Sequence, residues 1–128
     1  MAIRIVRLGS PRTPGEGLRV GTVRRPPRGV PKAEHASRDF YDVWLPELAP
    51  SENLVKQARL ASDERAWRSF VRRYRVEMKR PEARRLLALL AALSHQTDLS
   101  VGCYCAEEAR CHRSVLKDLL LECRADVA

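Results

Sequence analysis

Apolar and basic residues interleave over IRIVRL (3–8), the pattern of a strand with one buried face. LRVGTV (18–23) repeats it, and FYDVWL (40–45) reads as a short third strand or an extended segment. The stretches between break regular structure. GSPRTPGEG (9–17) is loop by its glycines and prolines. RRPPRGVPK (24–32) holds three prolines and a glycine, so it is a stiff loop that displays Arg24, Arg25, Arg28 and Lys32.

After Pro50 the period changes. Ser51 is placed to cap a helix. Over 63–79, Trp67, Phe70, Val71, Tyr74 and Met78 recur at three- and four-residue spacing, one apolar stripe with a solvated basic face opposite. Pro81 opens a further helix to about Ser94, whose run of leucine and alanine predicts burial on more than one side. LSVGCYC (99–105) is a strand with Leu99, Val101, Cys103 and Cys105 on one face. A last helix runs from about His112 to Cys123. The order predicts a small single α/β domain over 1–128, with a partly parallel sheet of three to four strands flanked by helices. It divides into a basic strand and loop part (1–38), a helical middle (51–95) and a strand–loop–helix unit (99–123). Ligands of such sheets gather beyond the carboxyl ends of strands, which is where 105–111 enters the last helix.

Charge sharpens this picture. The chain has 24 Lys and Arg against 16 Asp and Glu, a net charge of +8. Nine of those cations, but only Glu16 and Glu34 among the carboxylates, fall in 1–38. A local basic segment suits an anionic partner, a phosphate-bearing small molecule or a nucleic acid. The segment has no aromatic residue, so it offers no stacking platform for single strands. The start of the chain does not read as a signal peptide, and the longest apolar run, 86–93, is too short to span a bilayer. A cytoplasmic location without membrane contact is expected. Thiols stay reduced there, so four cysteines point to metal, catalysis or burial rather than disulfides.

Three of the four cysteines lie in VGCYCAEEARCHRS (101–114). On a helical projection His112 falls in the middle of the apolar stripe of the last helix, with Cys111 and Arg113 at its edges and Ser114 turned away. His112 therefore faces the domain, as a base, a ligand, a donor to an anion or a core histidine. Three chemistries compete. Zinc on Cys103, Cys105, Cys111 and His112 is the minor option, because C-x-C-x5-C-H lacks the usual paired spacing and adjacent Cys111 and His112 diverge on a helix. A thiol-dependent enzyme would use Cys111 or Cys105 as nucleophile with His112 as base and Glu107 in support. An anion site would use backbone N–H groups near 110–114 with Arg113 and Ser114, and Arg24 and Arg28 as a second wall. The anion site is the preferred reading. A basic nucleic-acid or protein interaction module with structural cysteines is the remaining class.

Four stretches resemble the domain of unknown function 488 family, in its YeaO-like branch. RRPPRGV (24–30) is similar to D-R-L-W-P-R-G at Arg24, Pro27, Arg28 and Gly29, with Val23 and Pro26 at the Asp and Trp positions. WLPELAPS (44–51) is similar to W-x-x-E-[LI]-x-P-S through Trp44, Glu47, Pro50 and Ser51. WRSFVRRYRVEM (67–78) carries Phe70, Tyr74 and Glu77 of F-x-x-x-Y-x-x-E-L. Cys111, His112 and Arg113 match the C-H-R that follows a strand ending C-x-E, here Cys105 to Glu107. The resemblance implies no assigned biochemistry, and marks Arg24, Arg28, Glu107, Cys111, His112 and Arg113 as positions to test.

Overall fold

A computed structural model describes residues 1–128. Its centre is a four-stranded sheet: β1 (Ile3–Arg7), β2 (Leu18–Gly21), β3 (Val43–Trp44) and β4 (Leu99–Cys103). The spatial order is β1-β4-β2-β3, and every pair is parallel. The register places Leu99 between Ile3 and Leu18, and Val101 between Ile5 and Val20. The last strand in sequence is thus inserted between the first two. All five of its residues are buried, Ser100 and Gly102 included. The sheet is wholly rather than partly parallel, and β3 is only two residues of the predicted 40–45 segment. β2 stops at Gly21 and β4 at Cys103, each two residues short of the alternating run. The chain beyond Gly21 turns toward its prolines, and Tyr104 and Cys105 leave the sheet to begin the loop to the last helix.

Four helices follow the predicted order. α1 (Glu52–Leu60) is capped by Ser51, whose hydroxyl accepts from the Leu54 N–H. α2 (Glu64–Glu77) starts one residue later than the periodicity suggests, because Asp63 is its cap and accepts from the Ala66 N–H at 2.7 Å. α3 (Pro81–Leu93) has proline in its first turn. α4 (His112–Glu122) begins after Cys111, which is extended at φ −120° and ψ 152°.

The main core joins the sheet to these helices: Ile3, Val20 and Val101 meet Phe70 and Tyr74 of α2, Leu87 and Leu90 of α3, and Leu116 and Leu120 of α4. Tyr74 donates its hydroxyl to the Leu48 carbonyl at 2.6 Å, so its one polar atom is satisfied. A smaller cluster of Leu8, Val23, Tyr41, Cys103 and Cys111 covers the carboxyl ends of the strands. Gly21 lets the Tyr41 ring lie on the backbone of β2; a Cβ there would fall 2.4 Å from the ring. No helix is long and apolar enough to cross a membrane.

Candidate functional site

Beyond the carboxyl ends of β2 and β4, beside the start of α4, lies a cleft of about 360 Å³. Its floor holds Cys103, Cys105, Cys111 and His112, its walls include Val23, Val55, Ala58, Phe70 and Tyr104, and four arginines line it: Arg24, Arg25, Arg59 and Arg110. No carboxylate is among the lining residues.

His112 is held on both sides of its ring. Nε2 donates to the Thr22 carbonyl at 2.7 Å, and Tyr74 packs against the ring edge-to-face at 5.6 Å. The Nε2 bond leaves the Nδ1 lone pair 3.7 Å from the Cys111 sulfur. Burial lowers the imidazole pKa to about 4, so His112 is neutral near pH 7.

The thiols differ. Cys103 and Cys111 are buried and Cys105 is exposed, and all four cysteines are free. The Cys103 thiol donates to the Cys105 sulfur at 3.7 Å, which with burial pushes Cys103 far up and keeps it protonated. The same hydrogen bond, with one from Cys111 and the positive field of Arg113, pulls Cys105 well below the usual thiol range against the cost of burial. Cys111 moves up: its contact with Cys103 lowers it, but its bond to Cys105 and its burial outweigh that. Of the three thiols, Cys105 is thus the one whose pKa is lowered.

Arg113 does not face the cleft. It is buried, and its guanidinium donates to the Val6 carbonyl at 2.8 Å and the Cys105 carbonyl at 2.7 Å, fastening loop 104–111 to β1. Its Nε is buried without a partner, and no carboxylate pairs with it. Ser114 turns its hydroxyl back to the Cys111 carbonyl at 2.9 Å. Glu107 is exposed on the loop. Neither Ser114 nor Glu107 lines the cleft.

Of the proposed second wall, Arg24 lines the cleft and Arg28 lies exposed outside it. The RRPPRGV loop does reach the cysteines, but only through its first residues: Tyr104 donates its hydroxyl to the Arg25 carbonyl at 2.9 Å. Arg24 is itself held by the Pro50 and Ala49 carbonyls, at 3.0 and 3.1 Å. The remaining cations of 1–38 are spread over the molecule. Arg19 is completely buried against Glu16, and Arg12 pairs with Asp39 and Asp42. The predicted basic patch is thus a property of the sequence more than of one surface.

Arg59 was not singled out by the sequence, and Thr22 was not either. The signal for Arg59 is its place with Val55 and Ala58 on one face of α1 at helical spacing. Thr22 carries none, because its backbone carbonyl, not its side chain, orients His112. Arg25 and Arg110 pair with the exposed Glu52 and Glu64, Arg110 also lies 5.8 Å above the Trp67 ring, and Arg59 pairs with no carboxylate.

One separation expected from the sequence does not exist. Cys111 and His112 do not diverge along a helix, because Cys111 is the extended residue before it. One ligand-type atom from each of Cys103, Cys111 and His112 lies within 4.8 Å of the others.

A family model described as the active DUF488-N3 subclade matches residues 3–124, so the chain belongs to the domain of unknown function 488 family. The YeaO-like features fit that assignment. No curated protein and no solved structure matches the chain significantly.

Proposed function

We propose that this member of the DUF488 family binds an anionic, phosphate-bearing small molecule in the cleft above the cysteines. The observation that carries the reading is a lining of four arginines and apolar walls with no carboxylate among them. Arg59, with no ion pair, and Arg110 at the mouth of loop 104–111 meet the phosphate. Val23, Val55 and Ala58 accept an apolar or base-like portion, as in a nucleotide. Arg24 stiffens the wall rather than moving to the ligand, since two carbonyls hold it. The test is calorimetric titration of the full chain with ADP and with inorganic pyrophosphate. Binding should weaken on the order of tenfold in Arg59→Ala, the loss of one charge-assisted contact, and stay unchanged in Arg28→Ala. Absence of heat and of thermal stabilisation with either probe refutes the reading.

A thiol-dependent enzyme is the second reading, and the geometry favours Cys105 for it over Cys111. Cys105 is exposed at the cleft and held toward the thiolate, whereas Cys111 is buried and held toward the thiol. Alkylation of Cys105, but not of Cys103 or Cys111, at neutral pH in chelator-treated protein is its signature.

A further inference from the structure

The floor of the cleft supports an inference that does not rest on the anion reading. We propose that Cys103, Cys111 and Nδ1 of His112, closed by Cys105 from the cleft side, form a tetrahedral site for a zinc-class divalent ion.

Two of the spacings are those of a ligand shell. With Zn–S near 2.3 Å and Zn–N near 2.0–2.1 Å, a tetrahedron separates two sulfurs by about 3.8 Å and a sulfur from a nitrogen by about 3.5 Å. The Cys103 and Cys105 sulfurs are 3.7 Å apart, and the Cys111 sulfur is 3.7 Å from Nδ1 of His112. Cys103, Cys111 and His112 are all buried, with their ligand atoms mutually within 4.8 Å. Chain geometry explains why a non-standard spacing works. Cys103 ends a strand, Cys105 follows on the loop, and Cys111 is extended before the helix, so its sulfur leaves the path that Cys111 would take on a helix.

The surroundings are those of a metal site. His112 gives its other ring N–H to the Thr22 carbonyl, which fixes the tautomer and aims the Nδ1 lone pair at the sulfurs. Arg113 is the independent observation. It is 3% exposed, has no carboxylate partner and keeps one buried N–H unpaired. A buried cation without a counter-charge is costly. Three thiolates on a dication with a neutral imidazole leave one net negative charge, which is the counter-charge Arg113 lacks. Binding would release to solvent the proton of each thiol still protonated. Soft sulfur with imidazole selects zinc over calcium or magnesium. Cys105, facing the cleft, gives the ion its way in.

The test uses the full chain, reduced, stripped with chelator and titrated with Co²⁺. The expected result is one ion per chain, with a tetrahedral d–d spectrum and a thiolate-to-cobalt charge-transfer band that Zn²⁺ abolishes. Cys105→Ser, at an exposed position, should lower that band by about one third, the share of one thiolate in three. Cys123→Ser, outside the cluster, should leave it unchanged. In protein purified without chelator, Cys123 alone should react rapidly with a thiol reagent until chelator is added. Lack of a tetrahedral cobalt spectrum, or free reaction of Cys105 and Cys111 with no chelator effect, overturns the site. An unreduced band in Cys105→Ser overturns Cys105 as the fourth ligand. Dependence on chelator also separates this site from the thiol-enzyme reading, which needs no metal, and neither result bears on pyrophosphate binding at the arginines.

Discussion

Glu16→Gln removes one negative charge from the most deeply buried ion pair of the protein. Arg19 is wholly buried and Glu16 is 3% exposed. The guanidinium donates to the two Glu16 oxygens at 2.6 and 3.0 Å, and its remaining nitrogen donates to the Ser10 and Asp39 carbonyls at 2.9 and 2.7 Å. Burial alone would push the Glu16 carboxyl up. Hydrogen bonds from Arg19, the Thr13 N–H and the Ser100 hydroxyl outweigh it, and the pKa falls from 4.5 to about 2. A depressed carboxyl pKa stabilises the folded state above the unfolded value and ceases to do so as pH falls through the folded one. The difference amounts to about 3 kcal/mol, present above pH 4.5 and lost toward pH 2, with about 2 kcal/mol of it gone by about pH 3. In Glu16→Gln the charge of Arg19 is stranded in the interior, which costs about 3–5 kcal/mol at neutral pH. Urea denaturation of both proteins at neutral pH and near pH 3 measures this. The variant should be less stable by that amount at neutral pH, and the gap should narrow by about 2 kcal/mol in acid. A neutral-pH gap below about 1 kcal/mol, the size of a surface pair, or a gap that acid does not narrow, would refute the account. The pair matters to the site because Arg19 lies on β2 (Leu18–Gly21) and the next residue, Thr22, holds His112 by its carbonyl.

Arg113→Lys keeps the charge but cannot reach both the Val6 and Cys105 carbonyls as the planar fork does. Amide hydrogen exchange over 104–111 should quicken while β4 stays protected, and unchanged exchange there would show that Arg113 does not fasten the loop. Tyr74→Phe leaves the buried Leu48 carbonyl without its 2.6 Å donor, and should shift the urea midpoint by the equivalent of about 1–3 kcal/mol with pyrophosphate binding unaltered. A loss near zero would mean that water reaches Leu48.

The helices were legible because their signals are local. Trp67, Phe70 and Tyr74 mark the buried face of α2 by spacing alone, and Ser51 and Pro81 announce α1 and α3. The sheet was less so, since its order depends on partners far apart in sequence. Alternation identifies 99–103 as a strand and puts Ser100 and Gly102 on the face opposite Leu99 and Val101, without saying that both faces are covered. In the fold β4 is central, and Ser100 is buried because its hydroxyl donates to Glu16 at 2.9 Å, 84 positions away. Strand ends were read two residues long because the alternation at 22–23 and 104–105 continues past the last paired residue. Thr22 still donates its N–H to the Gly102 carbonyl at 3.0 Å, a contact at the fringe of the sheet.

The site was legible as a cluster and not as an arrangement. A helical projection assumes that Cys111, His112 and Arg113 share one helix, and so sends Cys111 away from His112 and Arg113 toward a ligand. The sequence places the helix from about His112, but the projection runs it back through Cys111, and cysteine is not among the favoured caps that would stop it there. Once it is extended, three consecutive side chains serve three different segments. Cys111 approaches Cys103 at the end of β4, His112 binds the chain just after β2, and Arg113 reaches back to β1 and forward to the loop at Cys105. The adjacency that counted against a common site is therefore what builds it: one helix start ties together the carboxyl ends of three parallel strands. A change at any of the three residues should loosen the same cleft floor by a different attachment. The C-H-R triplet is accordingly read as a structural clasp whose first two members also present a sulfur and a nitrogen to whatever the floor holds.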